Sequence, residues 1–409
     1  MERRRKFRYP RRLQLNSFTD PEIALNQLAS ELLLVATENA FPSAGRVLGE
    51  PIVADRDSPA ADVSAMDGYA IRIEDLRRSV VPVAGEAQPG QAPRELVPGT
   101  AIRIFTGAVI PRGAEAVVMR EETDESSRDQ VAWHEAATST VAGANIRVQG
   151  ENGKAGDLIV PKGAMLGPAS IAAAVNFGVW EIALGKRVRV SIIVTGNELF
   201  DVAAKPAAWQ IRDSNGPTIA AVCATKPWIE CMLPTRCLDD AEQLSRILAS
   251  AIEVSDAVIL TGGVSKGDYD YVPEVITGLG AKTIFHRLPI RPGRPILGAV
   301  SSTGKLILGL PGNPVSAIVG MTRFGIPLLA KQSGQTDWQP KPSSVRTSGR
   351  IDQSLPLHWY RLVKTIDAAN VELIDSRGSG DLVALAQSSG FIHQGPGQLG
   401  PGPWNFFGW

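Results

Sequence analysis

A chain of 409 residues, 44% of them hydrophobic, is long enough to bury several cores and to divide into two to four domains. Its 42 basic and 42 acidic residues cancel, which excludes a global field able to steer nucleic acid or a membrane surface. No apolar run approaches the ~18 residues of a membrane span.

The chain opens on MERRRKFRYPRR, a basic block without the apolar stretch of a secretory signal, so residues 1–17 are expected to be a solvated, disordered tail. Asp20 and Pro21 have the form of a helix start. The pattern predicts a helix over Pro21–Ala36 with Ile23, Leu28, Leu32 and Val35 on one side. Short β-like runs follow at Gly68–Ile73, Val80–Ala84, Ala101–Phe105, Ala116–Met119 and Val131–His134, separated by Gly, Pro and charged turns. They predict a β-rich domain over residues 51–143, inserted into an N-terminal helical and linker domain made of 18–50 and 144–186. In the second part of that domain, Asn145–Asp157 reads as polar turns. Pro168 opens a helix through Phe177 with Gly178 as its C-cap.

From Arg187 the rhythm changes to α/β. Val188–Thr195 and Ala257–Leu260 are almost uniformly apolar, as strands covered on both faces are. Helices are expected at Pro217–Thr225, Asp240–Val254 and Tyr271–Leu279, strands near Lys282–Phe285 and Lys305–Leu308, and a last helix from Val315. Residues 187–332 therefore predict a three-layer α/β module with a parallel sheet. Residues 340–409, after a polar linker, predict a C-terminal β-barrel-like domain. The fold class is multidomain, α/β plus β domains.

Ligands of open parallel sheets bind at the carboxyl ends of strands, and four loops leave such ends here. In LILGLPGNPVSAIV, Leu306–Val319, a strand runs into Pro311, Gly312, Asn313 and Pro314 and then a helix. Glycine permits close approach of a ligand, and Asn313 and Pro314 suit a helix start whose bare N–H groups and positive dipole end favour an anion. Thr261, Gly262, Gly263 and Ser265, followed by Gly267, Asp268 and Asp270, repeat the theme, and Thr195–Glu198 forms the third loop. The fourth is the Pro-Gly turn carrying Arg291 and Arg294, with Arg287 shortly before it; guanidinium forks suit phosphate and other oxyanions. Asp213, Ser214 and Asn215 open a helix nearby. Two phosphate-style loops in one module point to a large anionic ligand.

Glu198, Asp213, Asp239, Asp268 and Asp270 set hard oxygen donors beside these loops. That points to Mg²⁺ bridging carboxylate and phosphate, with Glu198, Asp268 and Asp270 as its ligands. Helix capping is the competing reading for Asp213 and Asp239. Histidines at 134, 286, 358 and 393 are scattered and support neither a zinc set nor a Ser-His-Asp triad. Cys223, Cys231 and Cys237 lack C-x-x-C spacing and read as reduced thiols of a cytoplasmic protein. Asp67, in an Asp-Gly turn, and Thr106, at a strand end, are open between turn chemistry and a site.

The ordered set SAMDGYA (Ser64–Ala70), IFTGA (Ile104–Ala108), GAEAVVM (Gly113–Met119), TGNEL (Thr195–Leu199), RDSN (Arg212–Asn215), TGGVSKGDYDY (Thr261–Tyr271), RPGRP (Arg291–Pro295), GLPGNPVS (Gly309–Ser316) and GSGDL (Gly378–Leu382) resembles the molybdopterin molybdenumtransferase family, MoeA and the E domain of gephyrin. The resemblance spans roughly Phe18 to Pro396. It implies a four-domain homodimer with a MogA-like molybdopterin-binding module and an active site at the subunit interface. It also implies a reaction: adenylylated molybdopterin and molybdate bind, a Mg²⁺-dependent step releases AMP, and molybdenum enters the pterin dithiolate. The family's functional residues map onto Asp67, Thr106, Glu198, Asp239 and Asp270, with Asp67 and Thr106 reaching across from the second subunit. A molybdopterin adenylyltransferase and acceptor molybdoenzymes are the further partners so implied.

The chain departs from the family pattern in places. Asn152 stands where an aspartate is usual, and Arg287 and Arg291 stand for two lysines. Arg361 and Ser379 are the molybdate contacts the resemblance suggests in the last domain. Two other functions compete: an adenylyltransferase, which needs only the α/β part, and a partner-binding scaffold, which Asn152 would favour if it weakened catalysis.

Overall fold

A computed structural model describes residues 18, 20–125, 127–265, 267 and 270–409, so the basic tail and Asp268 lie outside the described residues. The described residues form two compact units, one within Met1–Glu50, Lys162–Ile171 and Glu181–Trp409, the other within Pro51–Pro161 and Ala172–Trp180. Among the described residues no helix is long and apolar enough to cross a membrane.

The second unit is built on a six-stranded sheet in the order Ala116–Met119, Gly68–Ile71, Ala101–Ile104, Val80–Ala87, Gln130–Trp133, Thr123–Asp124. Strand alternation fills both faces. Tyr69 and Ile71 pack with Val81, Val118 and Val131, while Ala70 packs with Ile102, Ile104 and Val117. Gly68 is required by close approach, since a Cβ there would lie 1.9 Å from Val118 O. This contact sets Asp67 at the mouth of its strand, beside the end of the neighbouring strand that leads to Thr106.

In the first unit a mixed sheet carries the α/β module. Its elements are β1 (Val188–Thr195), α1 (Asn215–Ala224), β2 (Ile229–Cys231), β3 (Thr235–Cys237), α2 (Ala241–Val254), β4 (Ala257–Thr261), α3 (Val272–Gly278), β5 (Lys282–His286), β6 (Leu297–Val300), β7 (Leu306–Leu310) and α4 (Pro314–Gly320). The order is β2-β1-β4-β7-β6-β5, with β3 also pairing β1. Strands β1 to β4 and β7 are mutually parallel. Strand β6, unmarked in the sequence pattern, runs antiparallel to β7 and β5. Val190, Ile192 and Val194 of β1 face one core with Ile219 and Val315, and Ile193 faces the other with Leu244, Leu248 and Val272. That alternation makes the three layers.

The N-terminal helix is shorter than its pattern: it covers Pro21–Glu31, with Asp20 Oδ1 accepting from the Glu22 N–H at 2.8 Å. It stops because the next donors find partners elsewhere, Leu33 N–H on Gly304 O and Val35 N–H on Gln332 O. Ile23 is exposed, and the buried side is Ala24, Leu25, Leu28 and Leu32. Beyond α4 the helix widens into a π-type turn, Met321–Gly325, before Ile326–Gln332.

The C-terminal strands close into a five-membered ring, in the order His358–Thr365, Asn370–Leu373, Ser343–Thr347, Trp404–Gly408, Gly390–Gln394 and back to His358–Thr365. Ile290–Arg291 adds beside His358–Trp359, so the Arg291–Pro295 turn is hydrogen-bonded to this barrel.

Candidate functional site

The carboxyl ends of β1, β4 and β7 meet in one place. Gly262 (φ 89°) and Gly263 (φ 64°) turn the chain after β4 in a conformation that L side chains rarely adopt. A Cβ on Gly262 would also lie 2.4 Å from Thr195 O. Asn215, the first residue of α1, is buried and donates from Nδ2 to Thr261 Oγ1 (2.8 Å) and to Gly312 O (2.7 Å). Thr261 Oγ1 donates in turn to Pro311 O at 3.1 Å. The loops after β4 and β7 and the start of α1 are thus one hydrogen-bonded body.

The carboxylates around it divide by what they hold. Asp213 is buried and its Oδ1 accepts from the Gly216 N–H at 3.0 Å, so it caps α1. Ser214 occupies the cap position without a side-chain bond. Asp239 and Asn197 bind each other reciprocally, each backbone N–H donating to the other's side-chain oxygen at 3.1 Å. Asp270 Oδ2 accepts from the Gly267 N–H at 2.5 Å, while Ser265 is exposed. Glu198 is exposed, and its carboxylate lies over Gly196, where a Cβ would stand 2.8 Å from Oε2. Among the described residues, no three His, Cys, Asp or Glu side chains gather closely enough to hold a metal by themselves. Among the described residues, Glu198 and the second oxygen of Asp270 are donors available beside the loops. These are hard oxygens whose chemistry fits Mg²⁺ shared with a phosphate ligand.

A cavity of about 830 Å³ is lined in part by the same β7 loop. Pro311 and Asn313 form one wall, Arg291 and Arg294 a second, and Trp359, Arg361 and Ser379 of the barrel segment a third. Both guanidiniums lie over the Trp359 ring, Arg361 at 4.4 Å and Arg291 at 4.9 Å from its centroid. Burial, and then the neighbouring Arg291, lower the Arg361 pKa from its ordinary value. Arg287 has φ 76°, gives its backbone N–H to Ile296 O, and does not line this cavity. The start of α4 is less bare than its sequence suggests. Val315 N–H donates to Ser379 O at 3.0 Å, and Asn313 Nδ2 donates to Ser379 Oγ at 2.9 Å instead of Asn313 capping its own helix. Pro314 holds the first helical position, as expected.

In the second unit, Asp67 Oδ1 accepts from both the Thr106 N–H (2.8 Å) and the Thr106 hydroxyl (2.7 Å). These two bonds, helped by Arg120 and Arg103, hold the Asp67 carboxyl below its usual range. Glu125 organises the surroundings, taking the Arg120 guanidinium at 2.8 Å and the Tyr69 hydroxyl at 3.0 Å. Burial and Glu125 push the Tyr69 phenol up to about 12. Asn152 is exposed and gives its backbone N–H to Ser58 O.

Trp359 is one of the cavity residues that the sequence pattern does not single out, together with Gln353 and Asp375. The available signal was weak: Trp359 and Arg361 sit two apart on a strand, hence on one face.

Residues 19–178 match the MoeA N-terminal region (domain I and II), and residues 191–331 match a family described as a probable molybdopterin binding domain. A molybdopterin molybdenumtransferase of Nostoc sp. is 34% identical over 84% of this chain and 81% of its own length. One from Haemophilus influenzae is 32% identical over 87% of this chain and 88% of its own. The crystal structure of a molybdopterin biosynthesis MoeA protein from Pyrococcus horikoshii superposes with a TM-score of 0.77 at 26% identity, covering 95% of this chain and 99% of that one. On this fold, these loops and these relatives, the chain belongs to the molybdopterin molybdenumtransferase family of molybdenum cofactor biosynthesis.

Proposed function

We propose that the protein inserts molybdenum from molybdate into adenylylated molybdopterin and releases AMP, working as a homodimer. The observation that carries this reading is the β7 loop. Its Pro311 and Gly312 carbonyls are tied to the Thr261–Asn215 body, and Pro311 and Asn313 also line the arginine-walled cavity, so one fixed loop borders both places where an anion can be held.

In this reading the phosphoanhydride lies along the edge of the β4 turn. Gly262 N–H is already given to Leu310 O at 3.1 Å, so the anion-facing donors are the N–H groups that follow it through Ser265. Glu198, Asp268 and Asp270 would hold Mg²⁺, which when bound supplies neutralisation of phosphate charge. Asp239, aligned by Asn197, shapes the same edge. Arg291, Arg294 and Arg361 bind molybdate, and Trp359 keeps two of those guanidiniums in place. Phosphoanhydride cleavage needs positioned charge more than covalent help, which this set provides. Asp67 stays ionised through its Thr106 bonds and would be contributed by the second subunit.

The test is equilibrium binding of adenylylated molybdopterin, with AMP as the fragment control. Saturable binding in the presence of Mg²⁺ that weakens on Asp270→Asn, and molybdate binding that weakens on Arg294→Ala, support the assignment. Undiminished binding of both ligands in these variants removes it.

A further inference from the structure

Trp209 is 80% exposed, so its ring adds almost nothing to the core. The loop that carries it is nevertheless braced. Arg212 donates from Nε to Val202 O at 3.0 Å and from Nη2 to Ala204 O at 3.1 Å, and Arg236 reaches Asp201 at 3.4 Å. At the end of the loop, Gln210 N–H donates to Ala207 O, and Gln210 Oε1 accepts from the Ala207 N–H, both at 3.0 Å. Trp209 lies inside that turn, and none of these bonds uses its side chain. A large flat ring is held out into solvent on a turn whose shape does not need it.

The turn adjoins the candidate site. Ile211–Arg212 pairs in parallel with Leu199–Phe200, and the Ile211 N–H donates to Glu198 O at 2.8 Å. Trp209 stands two residues before that bond, on the β1 side of the site. Sheet order then decides which part of a ligand it meets, because β1 and β7 lie on opposite sides of β4. In the proposed reaction the pterin dithiolate must reach molybdate, and the molybdate cavity borders the β7 loop. With the phosphoanhydride along the β4 turn, the adenylate end extends the other way, toward Glu198 and Trp209.

The geometry points to Trp209 as a stacking surface for the adenine ring of adenylylated molybdopterin, an assignment that rests on the reading proposed above. A purine presents a flat π face, and the indole is the largest side chain able to cover it. The glycine turns and acidic residues beside them respond to charge and metal, not to a base. Trp209 supplies the contact that tells the adenylylated ligand from molybdopterin itself.

The experiment measures equilibrium binding of adenylylated molybdopterin and of molybdopterin without the adenylate, both with Mg²⁺. The proteins are the full-length wild type, Trp209→Ala and Trp209→Phe. Trp209→Ala should weaken the adenylylated ligand by about 5- to 100-fold, the range of one base–aromatic stack, and Trp209→Phe should recover most of that loss. Molybdopterin should bind all three proteins equally, which a general disturbance of the site would not allow. Unchanged binding of the adenylylated ligand to Trp209→Ala, or an equal loss for both ligands, overturns the assignment and leaves the proposed reaction standing. Wild-type protein that does not bind adenylylated molybdopterin at all would take down that reading and this assignment with it.

Discussion

Asn215 Nδ2 donates to Thr261 Oγ1 at 2.8 Å, and both residues are buried. The same amide reaches Gly312 O, and the Thr261 hydroxyl reaches Pro311 O. One side-chain pair thereby holds together the ends of β4 and β7 and the start of α1, which are distant in sequence.

Thr261→Val keeps the shape of that pair and removes the hydroxyl. One Asn215 amide hydrogen and the Pro311 carbonyl then lose a partner, at a cost of about 1–3 kcal/mol. Chemical denaturation should show that loss. Combined with Asn215→Leu, the effects should be non-additive, because the two residues share one network.

Two glycines in adjacent loops should respond differently to alanine. Gly262→Ala forces a side chain into φ 89° and against Thr195 O, so it should destabilise the protein and abolish binding of adenylylated molybdopterin. Gly312→Ala meets only Gly262 Cα at 3.6 Å, an ordinary contact, and should leave the melting temperature within a few degrees of wild type. Thermal melts of the two variants check both statements.

Asp67 should titrate low, and Thr106 should be the reason. Because the folded pKa is depressed, the stabilisation from this carboxylate is complete above its ordinary range and is lost as pH falls through the lower, folded value. Thr106→Val removes the hydroxyl donor and leaves the backbone one, so the carboxyl midpoint should rise toward the ordinary 3.8 without reaching it. Carboxyl-detected NMR titration of wild type and variant reads this directly.

Asp270→Asn keeps an oxygen able to accept from the Gly267 N–H, so the loop should stay folded. Loss of the charge should lower cofactor formation by about 10²–10³-fold, the scale for removal of one electrostatic group from a preorganised site. Unchanged circular dichroism with that loss in rate is the expected pair of results.

How far the sequence was legible follows from where the information lay. Val188–Thr195 and the Leu306–Leu310 strand with its Pro-Gly-Asn-Pro exit were readable because apolar runs and turn residues are local signals. The antiparallel strand Leu297–Val300 was not, since four small and apolar residues after a Pro-Gly turn give no period to read. The Pro21 helix ran too long in the sequence reading because Leu32–Val35 continues its apolar pattern, and only the partners at Gly304 and Gln332 end it. Asp213 could be either ligand or cap from sequence; the Gly216 N–H makes it a cap. Ser379 filling the start of α4, and the Trp359 ring under two arginines, depend on a barrel strand meeting a distant turn. No local pattern encodes such a meeting.

The account is tested most directly by incubating the purified protein with adenylylated molybdopterin, Mg²⁺ and molybdate while following AMP and active molybdenum cofactor together. The account predicts that both appear, in equal amounts, and only when molybdate is present. AMP release that ignores molybdate, or binding with neither product, would contradict it.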